Sequence, residues 1–396
     1  MVPLIEKRIL ILTSDTGGGH TSAAKALEAG FERFTDGVSY LTHIVKALEE
    51  FSSISRRLAA LYNYLLRHKQ QYVKYYHWLI NKLSPDETSL FNRLFISYGK
   101  QLLDTYAPDA VVSVHPMMQC GFARFLSDAG LAAKVPFITV VTDPCGNSWK
   151  GWANKGVDLY TVARAEAAEE LIRYGIPGNR IKLCGMPVHP KFQPVTETEA
   201  ERLRVELGLA PDRFTVFVNS GWAGGGNIPQ IFSELIKSDL DIQAVFLAGT
   251  NDKLLQRATR LAAQAPFPVK VIGFSDQMEK LMAAANVMIS KLGGLTTFEA
   301  LTCRLPIIAD LITPPMPQER GAADLIAQNR AGILLRQASD IALCIRELSQ
   351  NREEYLSMRA AAGSLSAPDA TRRIVYEITE LLNRSKTQGP PYHLRR

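Results

Sequence analysis

The sequence reads as an α/β protein made of two doubly wound parallel-sheet domains. Three observations predict this. Short β-branched runs recur along the chain, and each is followed within a few residues by a helix-compatible stretch of about 10 to 18 residues. The runs fall into two series separated by the Gly/Pro-rich stretch Gly185-Met-Pro-Val-His-Pro190, which cannot continue a helix. The length of 396 residues suits two domains of about 200 residues each better than one.

The first series of strand candidates is Arg8–Thr13, Ala110–Val114, Phe137–Thr142, Leu159–Ala163 and Ile181–Cys184. The second is Phe214–Asn219, Gln243–Ala248, Val269–Ile272, Val287–Ser290, Pro306–Ala309 and Ile333–Leu335. Each series is the pattern of a Rossmann-like domain, and ligands of such open sheets bind beyond the carboxyl ends of the strands. The two domains are therefore expected to face each other across a cleft. Asp369–Asn383 reads as a terminal helix and Ser385–Arg396 as a disordered tail.

Hydrophobic residues make up 46% and charged residues 21%, enough for a sizeable core that needs no disulfide or structural metal. Five cysteines without a CxxC pair point to reduced thiols and a cytoplasmic setting. The first strand candidate begins at residue 8, which leaves no room for a signal peptide. No run of about 18 uncharged apolar residues predicts a membrane span. The net charge of +6 favours an anionic partner.

Residues 45–106 break the rhythm. Between Phe51 and Pro85 there is no acidic residue, while Arg56, Arg57, Arg67, Lys69, Lys74 and Lys82 are interleaved with tyrosines and Trp78. Basic charge with interfacial aromatics suits a surface resting on anionic membrane. A basic helical insertion packed on its own domain has the same composition. Single-stranded RNA binding uses these residue types too, but no RNP or KH pattern accompanies them, and no nucleic-acid partner is expected.

Three motifs carry candidate chemistry. Asp15-Thr-Gly-Gly-Gly-His20 follows the first strand and opens a helix. Its glycines, Gly18 and Gly19 among them, let a ligand approach the backbone, and a helix N-terminus favours negative charge. His20 is a candidate base at the cleft edge, although a lone histidine is more often structural. Asn219-Ser-Gly-Trp-Ala-Gly-Gly-Gly226 repeats the device after the first strand of the second series; it holds a diphosphate or is a flexible loop. Lys291-Leu-Gly-Gly-Leu-Thr-Thr-Phe-Glu299 places Glu299 near a first helical turn, where its carboxylate can accept hydrogen bonds from a ribose diol. Asp239-Leu-Asp241 has the form of a metal-holding triplet but reads as a solvated turn far from these loops.

Taken in order, these motifs resemble the monogalactosyldiacylglycerol synthase and diacylglycerol glucosyltransferase group of the family 28 glycosyltransferases. Further markers are Val114-His115-Pro116, the TVVTD run ending at Asp143, Gly273-Phe274 and Gln318-Glu319, and the resemblance spans roughly residues 8–383. It departs from the group at Thr21, at Pro317 and Ala322, and at Asn219-Ser220. The resemblance implies a GT-B fold and an inverting transfer of a hexose, galactose or glucose, from a UDP-sugar to a lipid hydroxyl such as that of diacylglycerol. It implies an N-terminal acceptor and membrane domain over 1–192, a C-terminal nucleotide-sugar domain over 193–370, and a terminal helix with basic tail over 371–396.

Carried over by position, the backbone near Phe274 meets the uracil and Glu299 the ribose. Ser220 and Gly221, with the Thr296 and Thr297 amides, face the diphosphate, Gly294 belongs to the same donor-binding set, and Gln318 and Glu319 reach sugar hydroxyls. His20, with Asp143 as its rival, deprotonates the acceptor, and His115 lines the acceptor side. No metal or other cofactor is expected, because helix N-termini neutralise the leaving UDP. The implied location is peripheral, on the cytoplasmic inner face of the cell membrane. The competing readings are transfer to a polyprenyl-linked or secondary-metabolite acceptor, a UDP-sugar epimerase, and a non-enzymatic membrane or nucleotide-binding protein.

Overall fold

The computed structural model describes residues 6–34, 37–68, 72, 75, 89–146, 149–222, 224–315 and 317–385, without the side chains of 66–68, 89–94, 317, 318 and 385. The chain forms two compact units. One comprises residues 1–63, 71–190 and 369–396, the other 64–70 and 191–368.

The first unit holds a six-stranded parallel sheet of order β2-β1-β3-β4-β5-β6. Its strands are β1 (Glu6–Thr13), β2 (Ser39–Lys46), β3 (Ala110–Ser113), β4 (Phe137–Val140), β5 (Leu159–Val162) and β6 (Ile181–Leu183). The run Ile9-Leu-Ile-Leu12 is fully buried, as expected of a parallel strand covered on both faces. Alternation divides it between two cores. Leu10 and Leu12 pack with Val111, Phe122 and Phe137 on one face, while Ile9 and Ile11 pack with Val112, Ile138 and Leu27 on the other.

The second unit repeats the plan with order β12-β11-β10-β7-β8-β9. These are β7 (Thr215–Asn219), β8 (Gln243–Leu247), β9 (Val269–Ile272), β10 (Val287–Ser290), β11 (Ile307–Asp310) and β12 (Gly332–Leu335). Both sheets are parallel throughout. In each, the strand order reverses at one point, between β1 and β3 and between β7 and β10. At such a switch point the connections leave to opposite faces and open a crevice at the carboxyl ends of the strands.

One strand was not among the sequence candidates: β2, which pairs with β1 along its whole length. After it come α2 (Ala47–Phe51) and α3 (Ser53–His68). The terminal helix Ala370–Ser385 belongs to the first unit rather than standing apart. Its Ile374, Val375, Ile378 and Leu382 pack in the core that also holds Ala23, Leu27 and Phe31 of α1 (Gly19–Arg33). Thr371 Oγ1 donates to the Val188 carbonyl at 2.6 Å. The last helix thus braces α1, the helix that bears His20.

A close contact in that brace yields a test. A Cβ at Gly30 of α1 would lie 2.6 Å from Thr371 Cγ2 and 3.0 Å from Val375 Cγ2. Gly→Ala in a helix ordinarily gains about 1 kcal/mol, whereas overpacking a core costs about 1–3 kcal/mol. Both obstructing methyls are on stiff β-branched side chains, so the clash dominates. Gly30→Ala should lower the urea midpoint at unchanged m-value; a raised midpoint would mean that the terminal helix yields at no cost.

Candidate functional site

At the β1/β3 switch point the chain leaves β1 through Ser14–Gly18 and enters α1. Gly17 and Gly18 both have positive φ, 74° and 78°, a conformation costly for residues with a Cβ. Gly18 is the N-cap and makes no side-chain cap. The Ser22 amide takes up the Gly18 carbonyl at 3.2 Å, leaving the three preceding amides of α1 outside the helical ladder.

His20 is held at Nδ1, 2.8 Å from the Val114 carbonyl and 3.0 Å from Thr142 Oγ1. A carbonyl can only accept, so Nδ1 carries the proton and Nε2 the lone pair. Nε2 has no hydrogen-bond partner among the described residues. Burial lowers the imidazole pKa to about 4, against a smaller opposing effect of the Val114 bond. His20 is therefore neutral at ordinary pH, in the tautomer a general base requires.

His115 lies edge-on to His20, with ring centroids 4.5 Å apart. Its Nδ1 accepts from the Met117 amide at 3.3 Å, so Nε2–H faces Thr16 Oγ1 at 3.0 Å. Both ring nitrogens are thus engaged. Burial and the neighbouring His20 hold its pKa well below the usual value, and its position is beneath the glycine loop. Asp143 adjoins Thr142, and its Oδ2 accepts from the indole of the fully buried Trp152 at 2.6 Å.

At the β7/β10 switch point the second unit builds another crevice. Gly226, Asn227, Lys291, Asp310, Thr313 and Glu319 line one concavity. Asn227 Nδ2 donates to Asp310 Oδ1 at 3.0 Å and to Thr313 Oγ1 at 3.0 Å. Burial lowers the Lys291 pKa against the opposing charges of Glu319 and Asp310. Lys291 opens one of the sequence motifs but had no assigned role there; its placement beside Glu319 is what reveals it.

The helix Gly294–Thr302 starts from Gly293 with no side-chain cap. The Thr297 amide is bonded to the Gly293 carbonyl at 3.0 Å. Among the described residues the amides of Gly294, Leu295 and Thr296 take no such bond, so the open amides end at Thr296; of Thr297 only the hydroxyl, which is buried, has no partner. Ser220 and Gly221 differ more from expectation. The Ser220 hydroxyl and amide both donate to the Leu247 carbonyl, at 2.5 and 3.2 Å, and the Gly221 amide donates to Asn219 Oδ1 at 2.9 Å. These groups shape the loop and are not open to a phosphate.

Glu299 sits in the second turn of its helix rather than the first. It is 8% exposed, and its carboxyl makes no hydrogen bond among the described residues. Burial raises its pKa to about 7, with Lys191 lowering and Glu279 raising it. Lys191 pairs with Glu279 at 2.8 Å and donates to the Asp276 carbonyl at 2.8 Å. Two residues earlier, Phe274 is 67% exposed. Its backbone amide and carbonyl are unbonded among the described residues.

The Gln318 side chain and the Arg67, Lys69, Lys74, Trp78 and Lys82 side chains lie outside the described residues. Of the basic–aromatic segment, α3 shows Ile54, Leu61 and Tyr64 exposed, beside exposed Arg56 and Arg57. Among the described residues no helix is long and apolar enough to cross a membrane. Asp239 and Asp241 pair with Arg346 and Arg213 just before β8, at the sheet edge opposite the crevice.

Comparison with known proteins defines the class. The fold matches that of Acinetobacter baumannii MurG at a TM-score of 0.60 and 16% identity, covering 94% of this chain and 99% of that one. It matches Anabaena Alr3699/HepE in complex with UDP and glucose at 0.55 and 16%, covering 95% and 99%. A UDP-GlcNAc 2-epimerase from Neisseria meningitidis matches at 0.58 and 14%, covering 94% and 100%. This is the GT-B fold.

Residues 20–188 match the monogalactosyldiacylglycerol (MGDG) synthase family and 227–374 the glycosyltransferase family 28 C-terminal domain. Monogalactosyldiacylglycerol synthase 3, chloroplastic, of Arabidopsis thaliana is 31% identical over 387 residues, 95% of this chain and 81% of the relative. The spinach chloroplastic synthase is 31% identical over 395 residues, covering 96% and 73%. The chain belongs to the monogalactosyldiacylglycerol synthase family, and it is a glycosyltransferase.

The His20 geometry predicts a titration. An imidazole held neutral to about pH 4 and near 6.5 when unfolded takes up protons on unfolding between those values. Stability is then fully present above about 6.5 and falls as the pH drops towards 4. In 15N-histidine NMR spectra His20 should remain the neutral Nδ1–H tautomer down to pH 5. A cationic His20 at pH 6 would contradict the assigned environment.

Proposed function

We propose that the chain transfers a hexose, galactose or glucose, from a UDP-sugar to the hydroxyl of a lipid acceptor, diacylglycerol foremost, with inversion at the anomeric carbon. The observation that carries this reading is the tautomer of His20. With Nδ1–H committed to Val114, Nε2 is free to accept the hydroxyl proton as oxygen attacks. The diacylglycerol in the names of the relatives supports the lipid.

On the donor side, Glu299 is a buried carboxyl without donors, and a ribose diol supplies two. Phe274 offers an unbonded backbone amide and carbonyl to a uracil edge. Lys291 and the open amides of Gly294, Leu295 and Thr296 stabilise the charge that grows on the departing diphosphate. In this reading those groups do the work of neutralisation, and the transfer needs no bound cofactor. Glu319, beside Lys291, receives sugar hydroxyls together with Gln318. The exposed Ile54, Leu61 and Tyr64 with Arg56 and Arg57 suit peripheral contact with an anionic membrane, where the acyl chains of the acceptor lie.

The deciding experiment incubates purified protein with UDP-galactose or UDP-glucose and diacylglycerol in anionic or neutral vesicles, reading product masses and anomeric configuration. A glycosylated diacylglycerol of inverted configuration supports the proposal. Product formed only on a soluble or polyprenyl-linked acceptor replaces it.

His20→Ala should reduce kcat by about 10²–10⁴-fold with UDP affinity unchanged. A variant retaining a third of the wild-type rate would pass the role of base to Asp143. Glu299→Ala should raise the donor KM about tenfold to a hundredfold, matching the roughly 1.5–3 kcal/mol of hydrogen bonds to a charged group. Its carboxyl titrates near 7, so UDP should bind more tightly as the pH rises through that value, releasing a proton seen by calorimetry in two buffers. An unchanged donor KM with collapsed kcat would assign Glu299 elsewhere.

A further inference from the structure

We propose that Asn63 is a positioning residue, holding the glycine loop that carries His20 in its working geometry. The loop has little of its own to fix it. Gly17 and Gly18 are consecutive residues of positive φ, glycine is the residue with most conformational freedom to lose, and no side chain caps α1. Within it the Thr16 amide donates to Ser14 Oγ at 3.2 Å, Thr21 and Lys46 hold the Asp15 carboxylate, and further ties come from α2, α3 and His115.

Glu49 Oε1 accepts from Ser14 Oγ at 2.8 Å and from the Asp15 amide at 3.0 Å. His115 engages the Thr16 hydroxyl. Asn63 does something neither of these does. Its Oδ1 accepts from the Gly17 amide at 3.3 Å, and its Nδ2 donates to the Asp15 carbonyl at 3.3 Å. One side chain thus spans the main chain on both sides of Thr16 and reaches the residue just before the N-cap of α1.

The residue type fits this duty. Only a carboxamide offers a donor and an acceptor side by side, and glutamine places them one methylene further out. Asn63 lies inside α3, where asparagine is a mediocre helix former, so helix propensity does not account for it. Rotation about Gly17–Gly18 redirects the first turn of α1 and with it Nε2 of His20. A reacting geometry displaced by about 1 Å can cost about a hundredfold in rate.

This inference rests on the reading of His20 as the base, and its test separates the two. Full-length wild type, Asn63→Ala and Asn63→Asp are compared by hydrogen exchange over residues 14–22, by transfer to detergent-dispersed diacylglycerol and by UDP binding. In Asn63→Ala the loop amides should exchange about tenfold faster, with kcat down on the order of tenfold to a hundredfold and UDP affinity unchanged. Asn63→Asp keeps the acceptor for Gly17 and loses the donor for Asp15, so its loss should be smaller. Loop exchange and kcat within twofold of wild type in Asn63→Ala overturn the proposal. So does faster exchange across the whole first unit, which marks a general stabilising contact. The exchange contrast needs no turnover, so it decides the hold of Asn63 on the loop even if wild type transfers no sugar to any acceptor.

Discussion

The functional surfaces depend on one constraint of parallel sheets. Every strand ends, and every following helix begins, at the same edge. Where the strand order reverses, adjacent connections diverge and leave that edge open. In this chain the openings fall at β1/β3 and at β7/β10, and a glycine-led helix starts at each: α1 behind Gly18 and the helix Gly294–Thr302 behind Gly293. Three helices elsewhere are finished differently. Thr196, Asn251 and Asn351 each turn a side-chain oxygen onto an amide of the helix they precede. Lack of a cap is not in itself unusual. A glycine cap at a switch point leaves amides that can take an anion only from outside the chain.

Desolvation sets the electrostatics at both openings, and it acts on opposite charge types in the same sense. It drives His20 towards its neutral form by disfavouring the cation, and Glu299 towards its neutral form by disfavouring the anion. The two groups differ in what surrounds them. His20 has one nitrogen satisfied and the other open, an arrangement that orients a base. Glu299 has no donor among the described residues, and a buried carboxyl without donors becomes favourable when a ligand brings them. Lys291 completes the pattern, because its burial is only partly offset by Glu319 and Asp310.

Much of the fold was legible because central parallel strands are continuous apolar runs. β1, β7 and β10 are buried along nearly their whole length. β2 escaped because it is an edge strand: Ser39, Thr42, His43 and Lys46 interrupt it, and only Val45 is fully buried. The glycine loops were legible as loops, since their composition permits little else. Which of their amides stay open was not. Ser220 and Gly221 differ from Gly294 and Thr296 only in which carbonyl or side chain lies within reach, and that is set by β8 and Asn219. Likewise the lock on His20 comes from Val114 and Thr142, 94 and 122 residues away. The place of Asn63 is hidden in a helix whose residues read only as basic and aromatic.

The GT-B fold alone does not separate sugar transfer from sugar epimerisation, since solved structures of both kinds match it equally well. The distinction lies in which groups at the β1/β3 opening are free to react. A double displacement at carbon would call on carboxylates with open oxygens. Here Asp15 is bonded to Lys46 and Thr21, Glu49 to Ser14 and the Asp15 amide, and Asp143 to Trp152. Each carboxylate is engaged through at least one oxygen in building the loop or its surroundings, and the Glu49 oxygen left without a partner, Oε2, is buried away from solvent. Among the described groups at this opening, the imidazole of His20 combines a fixed tautomer with an unengaged lone pair, which suits the removal of one proton from one hydroxyl.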